Sequence, residues 1–204
     1  MAAEKIKPRS LDDETLDTIF REARTHSVWQ NRDIPDQLLH DIVDLMKWGP
    51  TSANICPARF VFVKSKVAKE KLSPHMDEGN RDKTMKAPAT AIIAFDLKFY
   101  EKTDILAPHN PKVIRSWFEG KPAKIQDAAF RNGTLQGAYF MIAARALGLD
   151  CGPMSGFNAD AVKKEFFPDE DWTPNFLCNL GYGDPSKLHP RAPRLSFDQS
   201  SKII

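Results

Sequence analysis

The sequence lacks the features of membrane-spanning, secreted and nucleic-acid-binding proteins. No apolar run approaches the roughly 20 residues that a membrane helix needs. The start, MAAEKIKPRS, has no apolar segment after its lysines and does not read as a secretory signal. A net charge of +2 without a long basic run gives no reason to expect nucleic acid or an anionic membrane as a partner. We therefore expect a protein that acts on small molecules.

Cysteine is scarce, and its placement argues against both disulfides and metal binding. Cys56, Cys151 and Cys178 are odd in number, far apart and without a CxxC pair. This pattern predicts reduced thiols and a cytoplasmic location, and small buried side chains rather than nucleophiles. The histidines also lack metal-ligand spacing, so we predict no metal site. They are His26, His40, His75, His109 and His189.

Familiar catalytic and nucleotide-binding motifs are also missing. Gly181-Tyr182-Gly183 lacks the third glycine of a dinucleotide fingerprint and is followed by Pro185 rather than a helix. There is no P-loop, no HExxH and no pairing of serine, histidine and acid that stands out as a triad.

What is present suits a single domain. At 204 residues, 42% hydrophobic and 27% charged, the chain can bury a sizeable core. No repeat or linker divides it, so we predict one domain over 1–204, with 1–9 flexible. Ser10 is expected to cap a first helix. Further helices are predicted over 35–48, 67–72, 122–147 and 158–166, and strands over 59–64, 90–95 and 175–182.

The stretch Arg131–Phe157 is the expected centre of the protein. Residues 138–147 are nearly all apolar, with only Arg145 charged, which predicts a helix buried on every side. Asn132-Gly133 is a candidate interruption, and Gly148 ends the helix. We interpret Gly152–Gly156 as a loop that presents backbone N–H groups to a planar cofactor. The competing interpretation is a core helix followed by an ordinary turn.

Two segments show no clear periodicity in the spacing of their apolar residues. Residues 97–121 contain prolines and aromatics, and we expect an excursion that covers a pocket. The tail over 183–204 is extended yet apolar at Leu195, Phe197, Ile203 and Ile204. We expect such a tail to pack against another surface, and a second subunit is one candidate.

Four polar segments are each unremarkable alone but form a set with Gly152–Gly156. They are Arg24-Thr25-His26-Ser27, Pro50–Pro57, Asn80-Arg81-Asp82-Lys83 and Arg191-Ala192-Pro193-Arg194. Taken singly, each arginine is explained as a solvent-exposed charge, and Pro50–Pro57 as an ordinary turn between a helix and a strand. Taken together, they can bind a phosphorylated flat heterocycle. Arginines pair bidentately with phosphate oxygens. Hydroxyl and amide groups can hydrogen-bond a polyol, and an amide and an ammonium can hydrogen-bond the carbonyl edge of a pyrimidine ring.

At this point the chain resembles the nitroreductase family of FMN-dependent oxidoreductases over about 24–194. The strings KWGPTSAN, GPMSGF, GYGDPSKL and PRLSF occur in family order and are most similar to the malonic semialdehyde reductase branch. The resemblance implies an α+β, three-layer sandwich with a mixed central β-sheet flanked by helices. It also implies an intertwined homodimer in which the C-terminal arm, 183–204, embraces the partner.

The resemblance further assigns cofactor-binding residues. At the FMN phosphate and ribityl chain it places Arg24, His26, Ser27, Arg191 and Arg194, although the family usually has a second basic residue where Ser27 and its neighbours stand. From the other subunit, Pro50, Thr51, Ser52 and Asn54 would reach the flavin. Asn80 and Lys83 would bind the pyrimidine end. Beside flavin N5 lie Pro153, Met154, Ser155 and Gly156, with the Gly156 N–H as donor and Lys83 stabilising negative charge.

The implied chemistry is ping-pong hydride transfer from NADH or NADPH through flavin N5 to a small-molecule acceptor. For this branch the acceptor would be malonic semialdehyde, reduced to 3-hydroxypropionate in pyrimidine breakdown. Arg115 or Arg131 is the candidate for its carboxylate, against the alternative of ordinary surface charges. Some members carry Glu at Ser155, Gln at Cys56 and Trp at Ala58, so we expect a smaller and less acidic pocket here.

Three rival interpretations stay open. The first is a broad-specificity nitro- or quinone reductase, and the second is a flavin-binding protein without turnover. The third is a structural α/β protein without a cofactor.

Overall fold

The fold is organised on a four-stranded sheet, defined for residues 10–204 in a computed structural model. Its strands are β1 (Ala58–Val63), β2 (Ala89–Asp96), β3 (Asp150–Met154) and β4 (Trp172–Gly181), in the order β1-β2-β4-β3. All eight residues of β2 are buried, as expected of an unbroken apolar run covered on both faces. The three predicted strands are confirmed. The fourth, β3, includes part of the predicted Gly152–Gly156 loop, so that prediction was wrong for Gly152, Pro153 and Met154.

The sheet is antiparallel rather than mixed. Each of its three pairings, β1 with β2, β2 with β4 and β4 with β3, is antiparallel. Within residues 10–204 the parallel contact is a single bridge between Thr25 and Cys151. The continuous apolar run of β2 reflects burial on both faces, which is also reached in this antiparallel sheet, so it did not indicate strand direction.

Helices lie before, between and after the strands. Their bounds are α1 (Asp13–Leu16, continued by a π-helical turn Asp17–Arg21), α2 (Asp36–Met46), α3 (Lys66–Leu72), α4 (Glu78–Lys86), α5 (Thr103–Leu106), α6 (Pro111–Ser116), α7 (Pro122–Ala146), α8 (Ala159–Phe166) and α9 (Phe197–Ser200). Asp12, rather than Ser10, caps α1 by accepting from the Thr15 N–H. Asn158 caps α8 as predicted, whereas α4 was not predicted as a helix.

Helix α7 is the long central helix, and it packs closely on the sheet. A Cβ at Gly137 would lie 2.6 Å from Phe176 Cε1, and one at Gly133 would lie 2.9 Å from Phe95 Cβ. Both glycines therefore permit close approach, and Asn132-Gly133 does not interrupt the helix. The predicted run 138–147 is not buried on every side, because Ala146 and Leu147 at its end are exposed.

The excursion over 97–121 has structure of its own. A 3₁₀ turn (Phe99–Lys102), α5 and α6 enclose Phe99, Ile114 and Phe118, which pack with Phe95 and Ala129 in a small satellite core. The absence of a clear period reflects the shortness of these helices, each about one or two turns long. The same segment lines a cleft of about 340 Å³ through Lys102, Ile105 and Leu106.

The tail after Gly183 leaves its apolar side chains exposed. Leu195 is 69% exposed, Phe197 58% and Ile203 85%. Exchange of this arm between subunits stays a prediction, and the expected flexibility of 1–9 lies outside the residues described. Over residues 10–204 no helix combines the length and apolarity that a bilayer crossing requires.

Candidate cofactor and active site

A basic pocket of about 610 Å³ lies where the chain after α1 meets the C-terminal tail. The predicted phosphate-binding arginines Arg24, Arg191 and Arg194 all line it, with Ser27. Arg24 Nη2 donates to the carbonyl of His189, and Arg191 Nη2 donates to the carbonyl of Ala23 at 3.0 Å. Among the described residues no carboxylate side chain lines the pocket. Because carbonyls hold these arginines without neutralising them, the pocket is suited to an anion.

Arg145 also lines this arginine pocket, and sequence reasoning did not assign it. It projects from the last turn of α7, where its Nη1 donates to the Ile19 carbonyl at 3.1 Å. Its Nε is buried and has no protein partner in the part of the chain described. The signal was present, since Arg145 is the only charge in the apolar run 138–147.

His26 lies between the lining residues Thr25 and Ser27, but it is buried and does not itself line the pocket. The residue is only 6% exposed, and its Nε2 lies 3.4 Å from Asp150 Oδ1. The other oxygen of Asp150 accepts from the Gly183 N–H at 2.8 Å. A Cβ at Gly183 would lie 1.9 Å from His26 Nδ1, so the imidazole occupies the space that the glycine leaves. The expected contact between His26 and the ribityl chain therefore cannot come from an exposed ring.

The predicted N5 segment follows directly from β3. Ser155 is exposed, and the Gly156 carbonyl accepts from Asn80 Nδ2 at 2.9 Å and from the Asp77 N–H at 3.0 Å. A Cβ at Gly156 would lie 2.4 Å from Asp77 Oδ2. The Gly156 N–H has no acceptor within residues 10–204 and is available to a ligand. Asn80 and Gly156, both predicted site residues, are thus in direct contact.

Lys83 is held near this segment through Trp29. The indole Nε1 of Trp29 donates to the Lys83 carbonyl at 3.1 Å, and its ring lies against Gly152 and Gly181. The Lys83 ammonium forms no hydrogen bond or ion pair with the described residues, so its charge is available. Trp29 therefore joins the Arg24–Ser27 segment, α4 and β3, a role that sequence reasoning missed.

The turn over 50–54 is built from left-handed, non-glycine residues. Ala53, Asn54 and Cys56 have φ of 50°, 54° and 38°, a region that costs such residues energy and is common at functional sites. The Ser52 N–H donates to Asn132 Oδ1 at 2.8 Å. Asn54 Nδ2 donates to the Leu106 carbonyl at 2.7 Å, so this amide is not free for a polyol.

One chain does not bring this turn and the arginine pocket together. The turn is bound to α7 at Asn132 through the Ser52 N–H and at Tyr139 through the Pro50 carbonyl. Arg145 lies thirteen residues beyond Asn132 and six beyond Tyr139, which at about 1.5 Å per residue is about 20 Å and about 9 Å along the helix. None of residues 50–54 lines the arginine pocket. The predicted site residues therefore fall into two groups within a single subunit.

The chain is similar to proteins of one known family. A family model described as the nitroreductase family matches residues 20–182. A protein of Ralstonia nicotianae, provisionally named an NADH dehydrogenase/NAD(P)H nitroreductase, is 54% identical over 195 residues, which are 96% of this chain and 99% of the relative. The chain belongs to the nitroreductase family.

Solved structures agree with this family fold. A Bacillus subtilis protein provisionally called a nitroreductase superposes with a TM-score of 0.85 at 22% identity, covering 94% of this chain and 99% of its own. Another from Exiguobacterium sibiricum, solved in complex with FMN, gives 0.83 at 19% identity and covers 97% and 100%. At such identity the likeness establishes the fold, and the predicted nitroreductase-like α+β class is confirmed.

In this nitroreductase-family chain both candidate carboxylate-binding arginines already have acidic partners. Arg131 is exposed within α7 and pairs with Asp127 one turn earlier at 3.0 Å. Arg115 donates to Asp104 at 3.1 Å and to the Glu101 carbonyl, which ties α6 to α5 and the preceding turn. Their assignment to a substrate stays a prediction, and the observed partners account for their charges.

The three cysteines are free thiols in distinct surroundings. Cys151 and Cys178 are buried, and the hydrogen bond between the two thiols together with burial raises the pKa of the Cys178 thiol well above its ordinary value. Cys56 is half-buried, and its Sγ contacts Thr51 Oγ1 at 3.6 Å. The buried pair therefore matches the predicted small core side chains.

Proposed function

We propose that this nitroreductase-family chain is an FMN-dependent NAD(P)H oxidoreductase. The observation that carries the proposal is the arginine pocket, which gathers Arg24, Arg191 and Arg194 with no carboxylate among its described lining residues. The bridge between Thr25 and Cys151 joins the start of that pocket to β3, and β3 leads directly to Gly156. An anion site at one end and a free backbone donor at the other suit a long phosphorylated ring system.

The residues present fit FMN chemically. The arginines and the unpartnered Nε of Arg145 match a phosphate. The missing Cβ at Gly156 lets Asp77 and Asn80 approach closely. The Gly156 N–H has no acceptor within residues 10–204, and the Lys83 ammonium is uncommitted. FMN, when bound, takes a hydride from NAD(P)H and delivers it to an acceptor. The protein then needs no side-chain nucleophile, in keeping with the absence of a recognisable triad.

Each group of the chain would have a distinct part in this chemistry. The arginines anchor the phosphate, and the Gly156 N–H, held by the Asn80 contact, donates a hydrogen bond at the reacting nitrogen. Lys83 supplies a positive charge where negative charge develops, a role that is strongest away from water. Trp29 positions Lys83 through the carbonyl contact.

We also propose that the working unit is a homodimer in which the turn Pro50, Thr51, Ser52 and Asn54 of one subunit completes the site of the other. The lining of the arginine pocket, to which none of these turn residues contributes, supports the proposal. So do the exposed Phe130, Leu135 and Trp48, the last 80% exposed. Apolar area of this kind is typically covered in obligate interfaces.

For the acceptor we propose malonic semialdehyde, on the branch-like strings and on the small residues Ser155, Cys56 and Ala58. Arg115 or Arg131 would hold its carboxylate after leaving its aspartate partner. The second candidate is a broad nitro- or quinone reductase. The name of the Ralstonia nicotianae relative and the aspartate partners of both arginines favour it.

The experiment begins with the visible spectrum of the purified protein. Anaerobic addition of NADH, then of NADPH in a separate sample, should bleach the flavin bands, and an acceptor should restore them. A colourless protein that stays colourless with added FMN would overturn the proposal. A flavin that binds but is not bleached would instead support a binding protein without turnover.

Acceptor choice requires a second comparison. The values of kcat/KM for malonic semialdehyde and for a nitroaromatic should favour the semialdehyde. Arg115→Met and Arg131→Met, made separately, should identify which one raises KM for the semialdehyde while leaving quinone reduction unchanged. Equal losses with both acceptors would reject a carboxylate-binding role.

A further inference from the structure

A second basic cleft, of about 490 Å³, lies between residues 28–33, the end of β1 and the junction of α4 with β2. It shares no lining residue with the arginine pocket. Four cationic side chains line it against a single carboxylate: Arg32, Lys64, Lys69 and Lys86 against Asp33. The proposed function makes no use of these residues.

Lys69 is the unusual member of this set. It is only 7% exposed, and its ammonium donates to the Ala87 carbonyl. An ammonium has three donors, and within residues 10–204 no carboxylate lies within ion-pairing distance of Lys69. Burial lowers the pKa of this lysine, opposed by the charge of Asp33. A buried charge without an ionic partner is costly, and an anion entering the cleft would supply one.

Arg32 is held in a position to take part. Its guanidinium carbon lies 3.6 Å from the centroid of the Tyr182 ring. Stacking of this kind leaves the edge of the guanidinium, with its N–H groups, free to bind a planar or tetrahedral anion. In the described part of the chain the Arg32 guanidinium forms no hydrogen bond or ion pair.

Lys64 shows what a neutralised lysine looks like in the same cleft. Its ammonium contacts Asp36 Oδ1 at 2.6 Å, the Ile34 carbonyl at 2.5 Å and Asp33 at 3.7 Å. Asp33 is largely exposed and is the cleft's only acid. Arg32, Lys69 and Lys86 form no ion pair among residues 10–204, so the cations of the cleft outnumber its described carboxylate, Asp33. A purely structural role would explain the hydrogen bond from Lys69 to the Ala87 carbonyl. It would not explain why Arg32 lies in the same cleft.

We propose that this cleft binds a phosphate group, with Lys69 at its base and the stacked Arg32 as a bidentate partner. The ligand class is inorganic phosphate or a small phosphomonoester, since both offer the same dianionic oxygens. Trp29 and Pro88 in the wall, beside the amide of Gln30, provide surface for the organic part of such an ester.

The test is a calorimetric titration of the FMN-loaded protein with inorganic phosphate at constant ionic strength. Loading with FMN occupies the arginine pocket. We expect saturable binding near one phosphate per chain, weakened about tenfold or more in Arg32→Gln and in Lys69→Met, because each removes a charge-assisted contact. Lys164→Met, an exposed lysine on α8, is the matched control and should bind as the wild type does.

The outcomes separate the possible explanations. Binding that does not saturate by about 1 mM, or that Lys164→Met weakens equally, would indicate an adventitious ion only and overturn the proposal. If Lys69→Met fails to fold, Arg32→Gln still decides, because Arg32 is exposed. Normal phosphate binding by a folded Lys69→Met and by Arg32→Gln would leave Lys69 with a structural role alone.

Two further arms complete the design. Adenosine 2′-monophosphate, compared with adenosine, distinguishes an organic phosphate from the free ion, and Arg32→Gln should weaken whichever binds. If the protein takes up no FMN, the titration is repeated with Arg191→Gln. Phosphate binding retained there and lost in Arg32→Gln would support this cleft independently of the flavin proposal. The reverse pattern would assign the phosphate to the arginine pocket.

Discussion

At the scale of single residues, the site depends on charges that carbonyls hold without neutralising. Arg24 and Arg191 each donate to a backbone carbonyl of the other's segment, which keeps both guanidinium groups facing one pocket. Arg131, in contrast, is paired with Asp127 and largely solvated. The arginines of the pocket are therefore available to an anion, whereas Arg131 already has an ionic partner.

Arg191→Gln is expected to weaken FMN binding by about 10–100-fold. The reason is the loss of a charge-assisted phosphate contact worth about 1.5–3 kcal/mol. Fluorescence titration of the apoprotein with FMN measures it. Arg131→Gln is the control and should bind FMN like the wild type. Equal affinities for all three proteins would show that the arginine pocket does not hold the phosphate.

The thiols should differ sharply in reactivity. Because the pKa of Cys178 is raised, it stays protonated and unreactive at neutral and mildly alkaline pH, and burial shields Cys151. We predict that a thiol reagent labels Cys56 in the native protein and all three cysteines after denaturation. Mass spectrometry of labelled peptides locates the adducts. Rapid native labelling of Cys178 would contradict the buried packing of β3 against β4.

At the scale of elements, helix α7 connects the two groups of site residues. Its Asn132 holds the turn at Ser52, its Arg145 lines the arginine pocket, and its glycines set how closely it approaches the sheet. The same helix buries Phe140 among Phe60 and Phe62. A shift of α7 would therefore move both parts of the site at once.

Gly137→Ala is expected to destabilise the fold even though alanine favours helices. Its Cβ would meet Phe176 Cε1 at 2.6 Å, and overpacking typically costs about 1–3 kcal/mol. Gly79→Ala in α4 is the matched control, because nothing lies within 4 Å of its Cβ. That variant should gain about 0.5–1 kcal/mol. Urea unfolding measures both, and stabilisation by both substitutions would refute the close approach.

At the scale of the whole molecule, one subunit exposes more apolar surface than its interior arrangement requires. Phe130 and Leu135 on α7 and Leu195, Phe197 and Ile203 in the tail are all exposed. Single exposed apolar residues are ordinary, but contiguous ones usually mark an interface. This pattern, with the divided site, is the physical basis of the proposed dimer.

The dimer predicts a mass of twice 23.0 kDa in solution. Replacing Leu195 and Phe197 together by serine should shift the protein towards monomer and weaken FMN binding in parallel, since the turn over 50–54 would no longer be supplied. Light scattering coupled to gel filtration measures the mass. Val67→Ser, an exposed residue on α3, should change neither property. A wild-type monomer that binds FMN tightly would reject the shared site.

Several features were determined by the sequence itself because they depend on local chemistry. The apolar run of β2, the Asn158 cap of α8 and the period of α2 each predict their element without knowledge of the rest of the chain. The ordered strings from Lys47 to Phe197 indicated the family for the same reason, since they can be read residue by residue. Arg24, Arg191 and Arg194 were found in this way, whereas Arg145 was not.

Only the tertiary structure decided the features that depend on partners distant in the chain. Asp150–Met154 became a strand because β4 pairs with it, although its glycine and proline indicate a loop. His26 is buried because it packs against Gly183 and Asp150, and the Asn54 amide donates to the Leu106 carbonyl. Strand direction and the availability of a donor are set by neighbours that folding brings close, and no local pattern encodes them.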